Sequence, residues 1–197
     1  MIFSETKTIL IYCEESGMFA NIYRQAGYHV VVRDLKRNKN HDIRLQEMIP
    51  EDIYGLLCFP PCTHLAGSGA RWWKKKGNSA LLEALSVADA CMRIVALKRN
   101  TLRFWMLENP VGRLSRYYGP PKMTFNPSEY ALWADNPDME AYTKRTCLWG
   151  DFRMPTKKPV APALGSIMHK LPPSENRAEL RSKTPQGFAR AFFHYNQ

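Results

Sequence analysis

KTILIYCEESGMFANIYRQAGYHVVVRD, residues 7–34, decides the fold. KTILIY, residues 7–12, is an apolar, β-branched run and reads as a strand. CEESG, 13–17, is a turn. Met18 to Ala26 follows with helical spacing and stops at Gly27, a residue suited to the left-handed position that closes a helix. HVVVR, 29–33, is a second β-branched strand, ending at Asp34. Strand, turn, helix, strand is the opening of a nucleotide-binding α/β fold.

Two more strands extend this reading downstream. Gly55, Leu56, Leu57, Cys58 and Phe59 form a short apolar run that ends at Pro60, Pro61 and Cys62. Arg103, Phe104, Trp105, Met106 and Leu107 form another, ending at Glu108, Asn109 and Pro110. A cysteine and a glutamate are thus expected where two strands give way to loops. In open α/β sheets that edge binds ligands. A thiol nucleophile and a carboxyl proton donor are the parts needed to attack and protonate an electrophilic ring. Thr63 to Ala66 is expected to start a helix whose N-terminus favours the thiolate.

Between and beyond these strands the pattern is plainer. Ser79 to Lys98 is the longest helical stretch, with Leu82, Leu85, Ala88, Met92, Val95 and Ala96 on one face, and reads as an amphipathic core helix. Lys36 to His41 is a basic loop, and a short helix is expected over Ile43 to Met48. Gly119 to Pro127 is Pro-rich and predicts a loop. Leu148 and Trp149 close a strand after Lys144 and Arg145. Gly150 to Pro173 is rich in proline and lysine. Arg177 to Tyr195 predicts a final helix interrupted at Thr184 and Pro185, with Pro185 at a helix start.

The chain has 197 residues, enough for one domain with a real core but not for two large ones. Its net charge of +10 suits a polyanionic partner. No apolar run approaches the roughly 20 residues of a membrane span. Met1 to Thr8 carries no apolar signal region. The five cysteines, an odd number, predict reduced thiols in a cytoplasmic protein. Cys58, Cys62 and His64 are close in sequence, but there is no CxxC pair and no evident fourth ligand, so no metal is expected.

CEESG at 13–17, RDL at 33–35, PPCTHLAGSGARWW at 60–73, LENPVGRL at 107–114 and TKRTCLW at 143–149 occur in order, followed by KLPPS at 170–174 and RSKTPQGFARAF at 181–192. Together they cover nearly the whole chain and resemble the DNA cytosine-5 methyltransferases, in particular a compact group of bacterial and phage-type DNA methylases. The resemblance implies a Rossmann-like, S-adenosylmethionine-dependent methyltransferase fold in a single domain. Residues 1–149 would form the catalytic core. A short basic, Pro-rich segment, 150–176, stands where larger members carry a target-recognition domain, and 177–197 would complete the core.

The resemblance also implies roles. Cys62 would add to C6 of cytosine. Glu108 would bond N3 and the exocyclic amine and protonate N3. Asn109 and Pro110 would shape the loop. Arg145 or Lys144 would face the base carbonyl and a nearby phosphate. For the cofactor, Glu14, Ser16, Gly17 and Pro61 would lie beside it, Asp34 would bind ribose hydroxyls, and Asp42 would bind adenine. Thr184 and Gln186 would come from a last motif that folds back over the pocket. The turn at 13–17 has one glycine, Gly17, where the family has a glycine-rich loop. Its acidic character suits the positively charged methionine end of the cofactor better than a phosphate, which argues against a dinucleotide site.

A base inside a duplex cannot reach such a pocket, so the partner is expected to be DNA with a flipped cytosine, or a single strand. GSGARWWKKK, 67–76, is expected to be a mobile loop closing over Cys62. Its Arg71, Trp72, Trp73, Lys74, Lys75 and Lys76 would contact backbone or stacked bases; the other reading packs the tryptophans into the core. Lys157, Lys158, Lys170, Arg177, Arg181 and Lys183 could follow phosphates. With so short a recognition segment, either a short target or a protein partner would supply specificity. Two other functions fit the motifs: a pyrimidine nucleotide C5 methylase, since thymidylate synthase-type enzymes also use a cysteine after Pro-Pro, and a non-catalytic DNA-binding protein on a methyltransferase scaffold.

Overall fold

The structure is a computed structural model that describes residues 6–45, 49–168, 170–172, 174 and 177–197, without the side chains of 178 and 179. In chain order the elements are β1 (Thr8–Tyr12), α1 (Met18–Gln25), β2 (His29–Arg33), β3 (Gly55–Cys58), α2 (Trp73–Leu97), β4 (Phe104–Pro110), α3 (Ser115–Tyr118), β5 (Met123–Phe125), β6 (Thr146–Asp151), α4 (Arg177–Ser182) and α5 (Gln186–Tyr195). The strands form one sheet in the order β2-β1-β3-β4-β6-β5. The first four are mutually parallel, and β6 runs antiparallel to both β4 and β5. This is a mixed α/β fold with a mostly parallel sheet, compatible with a Rossmann-like arrangement. From β1 the chain crosses to β2 on one side and returns to β3 on the other. The strand order therefore reverses between β1 and β3, and the crevice beyond their carboxyl ends is the expected ligand position.

Both faces of the sheet are buried, which is why β1 and β3 read as continuous apolar runs rather than as alternating ones. Helices α1 and α5 cover one face with an aromatic core of Phe19, Tyr23, Phe104, Phe188 and Phe192. Phe125 stacks on Phe188 with ring centroids 3.9 Å apart. Helix α2 covers the other face with Leu81, Ala84, Ala88, Cys91 and Ile94.

Several expectations are corrected. The short helix expected from Ile43 is a turn and a bend over 43–45; its remainder, 46–48, lies outside the described residues. The loop expected over Gly119 to Pro127 contains β5, an edge strand held by β6. Residues 67–76 are not an open loop: Gly67–Trp72 is a 3₁₀ turn that runs into α2. Gly77, at φ 71° and ψ −171°, breaks α2 after its first turn, so regular helix begins close to the expected Ser79. Thr63 to Leu65 forms turns and Ala66 an isolated antiparallel bridge to Gly112, rather than a helix start. Beyond β6, residues 152–162 carry no helix or strand but lie along the 3₁₀ turns before β6. There Leu132 N–H donates to Lys158 O (3.2 Å) and Val160 N–H to Ser128 O (2.9 Å).

Candidate active site

Two loops at the carboxyl edge of the sheet are stapled together. The buried Asn109 side chain donates from Nδ2 to Pro60 O at 2.8 Å. Gly67 N–H donates to Val111 O and Arg113 N–H to Leu65 O, both at 2.8 Å. Gly112 makes this approach possible: a Cβ there would sit 2.0 Å from Leu65 O. The segment carrying Cys62 is thus positioned by the residues that follow Glu108. The tie between the two motifs spans 49 residues.

Glu108 does not sit in a loop. β4 continues to Pro110 because β6 pairs with it throughout, Glu108 facing Leu148 and Asn109 facing Cys147. The pleat sends Glu108 to the α1/α5 face and Asn109 to the other. Glu108 lines a small cavity of about 10 Å³, with Phe59, Phe125, Lys144, Thr146, Ser182, Thr184, Pro185 and Phe188. Burial raises its pKa and the Lys144 ammonium opposes the rise. The cavity has room for about one water.

Cys62 is the exposed thiol among the five cysteines. Although it opens to the surface, its surroundings are dense enough that desolvation is the largest influence raising its pKa; Glu108 adds to the rise, while Lys144 and Arg181 oppose it. The expected helix N-terminus is absent, so the thiolate gains no help from one. Cys62, Glu108 and Lys144 therefore lie within electrostatic reach of one another. Lys144, not Arg145, is the cation on this side. Arg145 is exposed, and its charge acts on Cys147, one register position over. Both residues lie in the irregular segment just before β6, so which of them faces Glu108 is set by the fold and not by a strand pattern.

The first turn has a structural occupant. The Glu14 carboxylate, 2 % exposed, accepts the N–H groups of Phe19 (2.7 Å) and Ala20 (3.2 Å) and the Ser16 hydroxyl (3.5 Å). It caps α1 and fills the place a phosphate would take. Burial still raises its pKa above the ordinary range. Gly17 adopts φ 70° ahead of α1. The Glu15 carboxylate pairs with Lys36 at 2.6 Å and accepts the Ser182 hydroxyl at 3.4 Å. Asp34 is buried at the end of β2, where Oδ1 accepts Lys36 N–H at 2.7 Å. Asp42 is held by Arg44 through both oxygens, the closest contact 2.6 Å, which lowers its pKa. Pro61 is exposed beside Cys62.

The last motif is divided. Thr184 lines the Glu108 cavity, whereas the Gln186 side chain bonds Asp135, accepting its N–H and donating to its carboxylate, both at 2.9 Å. The two tryptophans also differ. Trp72 is 48 % exposed with Arg71 against its ring, while Trp73 is half-buried beneath Arg113, 4.6 Å from the ring centroid. Arg71, Lys74 and Lys75 are exposed, and Lys76 donates to Thr63 O at 3.0 Å. Two of the expected phosphate-following lysines have partners in the chain. Lys157 pairs with Glu129 at 2.6 Å, and Lys158 lies 3.9 Å over Trp133. The sequence marks Arg181 only as one cation among several that could follow phosphates. Its charge lowers the Cys62 pKa, and it donates to Ser68 Oγ at 3.3 Å. No protein-family model matches the chain, and no curated protein matches it.

Proposed function

We propose that this protein is a compact S-adenosylmethionine-dependent DNA cytosine-5 methyltransferase on a Rossmann-like methyltransferase fold. The observation that carries the reading is the meeting of Cys62 and Glu108, with Lys144, at the carboxyl edge of the sheet. In this reading Cys62 Sγ bonds to C6 of the cytosine, and the C5–C6 π pair is freed to act from C5 as Glu108 gives its proton to N3. Burial raises the Glu108 pKa, which favours the protonated form that such a step draws on. Lys144 steadies negative charge on both partners. S-adenosylmethionine supplies the methyl group to C5. N3 returns its proton to Glu108 as C5 takes the methyl group; a base then takes the C5 proton, and that C–H pair restores the C5–C6 double bond as Cys62 leaves as a thiolate.

The residues present fit the cofactor. Gly17 offers bare backbone, and Asp34 a buried carboxylate held through Oδ1 by Lys36 N–H. Glu14 and Glu15 make the turn favourable for a cationic methionine end. The Lys36 and Arg37 heads that cross this turn are on exposed, flexible side chains that can swing aside. The Glu108 cavity takes about one water, so a base enters only when the 182–185 segment moves.

Incubation with tritiated S-adenosylmethionine and mixed-sequence DNA tests this. Label in 5-methylcytosine is expected with the wild type and not with Cys62→Ala. Label in a free cytosine nucleotide instead would make the protein a nucleotide methylase, and no binding of the cofactor by calorimetry would make it a non-catalytic DNA-binding protein.

A further inference from the structure

Helix α4 and the segment after it are pinned across the mouth of the site at three points. Arg181 donates to Ser68 Oγ (3.3 Å), Ser182 donates to a Glu15 carboxylate oxygen (3.4 Å), and Lys144 Nζ donates to Lys183 O (3.2 Å). Only the first bridges to the 3₁₀ turn that follows Cys62. Of these contacts it is also the loosest in its demands. A guanidinium has five donors, and a neutral hydroxyl occupies one of them. Among the described residues no carboxylate pairs with Arg181, whereas Arg44 and Arg190 pair with Asp42 and Asp135. Glu15, the acid that Ser182 bonds, is itself paired with Lys36. A half-buried guanidinium without an anion, sharing a hydroxyl that can itself donate, is a fork waiting for a bidentate oxyanion.

We propose that Arg181 and Ser68 form a phosphate subsite beside Cys62, which takes the phosphate adjoining the target pyrimidine. The proposal rests on the reading of Cys62 and Glu108 given above and adds where the nucleotide backbone lies: between the Gly67–Trp72 turn and α4. Binding there exchanges the Ser68 contact for a charge-assisted one and anchors α4, so backbone recognition and closure over the base become one event. Trp72, exposed on the same turn, is then on the line of a neighbouring base. The phosphate can belong to a DNA strand or to a free nucleotide.

Equilibrium binding of a fluorescent single-stranded oligonucleotide, and separately of dCMP, tests it without any methyl donor. The salt dependence is measured for the wild type, Arg181→Gln, Arg181→Lys and Arg99→Gln. Arg99 is an exposed cation just past α2, at the opposite end of that helix from the site, and serves as the control. A phosphate contact predicts that Arg181→Gln lowers the slope of log K against log salt by about one, that Arg181→Lys keeps most of it, and that Arg99→Gln changes nothing. Oligonucleotide binding with an unaltered slope in Arg181→Gln would overturn the subsite and leave the DNA reading standing. Binding of dCMP alone, weakened in Arg181→Gln, would keep the subsite and overturn the polymer. Binding of neither would overturn both.

Discussion

Cys62 is governed by three charges that do not agree. Burial and Glu108 push its thiol above the ordinary cysteine range, and Lys144 and Arg181 pull it back. Cys58, Cys91 and Cys147 are buried, and desolvation raises the pKa of Cys13 as well. Iodoacetamide should therefore label one thiol per native chain, Cys62, with a rate that rises through alkaline pH, as read by mass spectrometry. The signs of the neighbours make the test specific. Glu108→Gln removes a negative charge and should move the alkylation midpoint down; Lys144→Gln removes a positive one and should move it up. Arg145→Gln should leave it in place, since the Arg145 charge acts on Cys147 instead. The same Glu108→Gln exchange should lower methyl transfer by about 10²–10⁴ in kcat, the usual size of a general acid's contribution. A Glu108 variant that makes the thiol more reactive while abolishing turnover would separate nucleophile activation from proton donation.

The staple between the Cys62 loop and the loop after β4 is a property of two elements, and its weakest point is Gly112. Alanine there brings a Cβ to 2.0 Å from Leu65 O, which the backbone must relieve by separating the loops. Gly112→Ala should cost on the order of 1–3 kcal/mol in thermal unfolding. It should also remove activity beyond that loss, because Cys62 shifts relative to Glu108. Asn109→Ala, which leaves Pro60 O without its buried donor, should cost a similar 1–3 kcal/mol. These ties also explain what could be read before the structure and what could not. The β1-α1-β2 unit, β3, and the break at Thr184 and Pro185 were legible because hydrophobic period, glycine and proline are local signals. Glu108 was expected in a loop because Pro110 looks like a strand end, and the partner that extends β4, β6, lies some forty residues away. The strand β5 was hidden among prolines for the same reason, since only its pairing with β6 makes it a strand. Lys144 and Arg145 could not be told apart because both lie in the irregular segment before β6, where no periodic pattern assigns a side. Glu14 carried a usable signal, an acid just ahead of a helix start, but its bonds to the fifth and sixth residues onward resemble no simple capping box.

At the scale of the whole molecule, three carboxyls among the described residues, the buried Glu14 and Glu140 and the half-buried Glu108, have pKa values raised by desolvation. Each holds its proton more tightly in the folded chain than in the unfolded one. Their contribution to stability is therefore full below the ordinary glutamate pKa and is lost as pH climbs through the raised folded values. Asp42 and Asp135 act the other way: arginine partners lower both, so their contribution is present above the ordinary aspartate pKa and lost in acid. Both are near the surface, where solvent screens such pairs, so the carboxyls in the interior should decide the profile. Thermal stability should peak at mildly acid pH and decline toward alkaline pH. The three acids are not equivalent. Glu14 accepts two backbone N–H groups of α1, and Glu140 accepts those of Gln186 and Gly187 at the start of α5, so each ionised form is partly compensated. Glu108 has only the Lys144 charge opposing its burial. Melting curves from pH 5 to pH 8.5 should thus show Glu108→Gln flattening the alkaline decline, with a gain over the wild type that grows with pH. Glu140→Gln, which weakens the capping of α5, should lower the melting temperature across the range. If Glu108→Gln runs parallel to the wild type, Glu108 ionises freely in the fold and is not held ready as a proton donor. If the curves separate, the chain carries a destabilising carboxyl at the one position where the proposed reaction requires a proton.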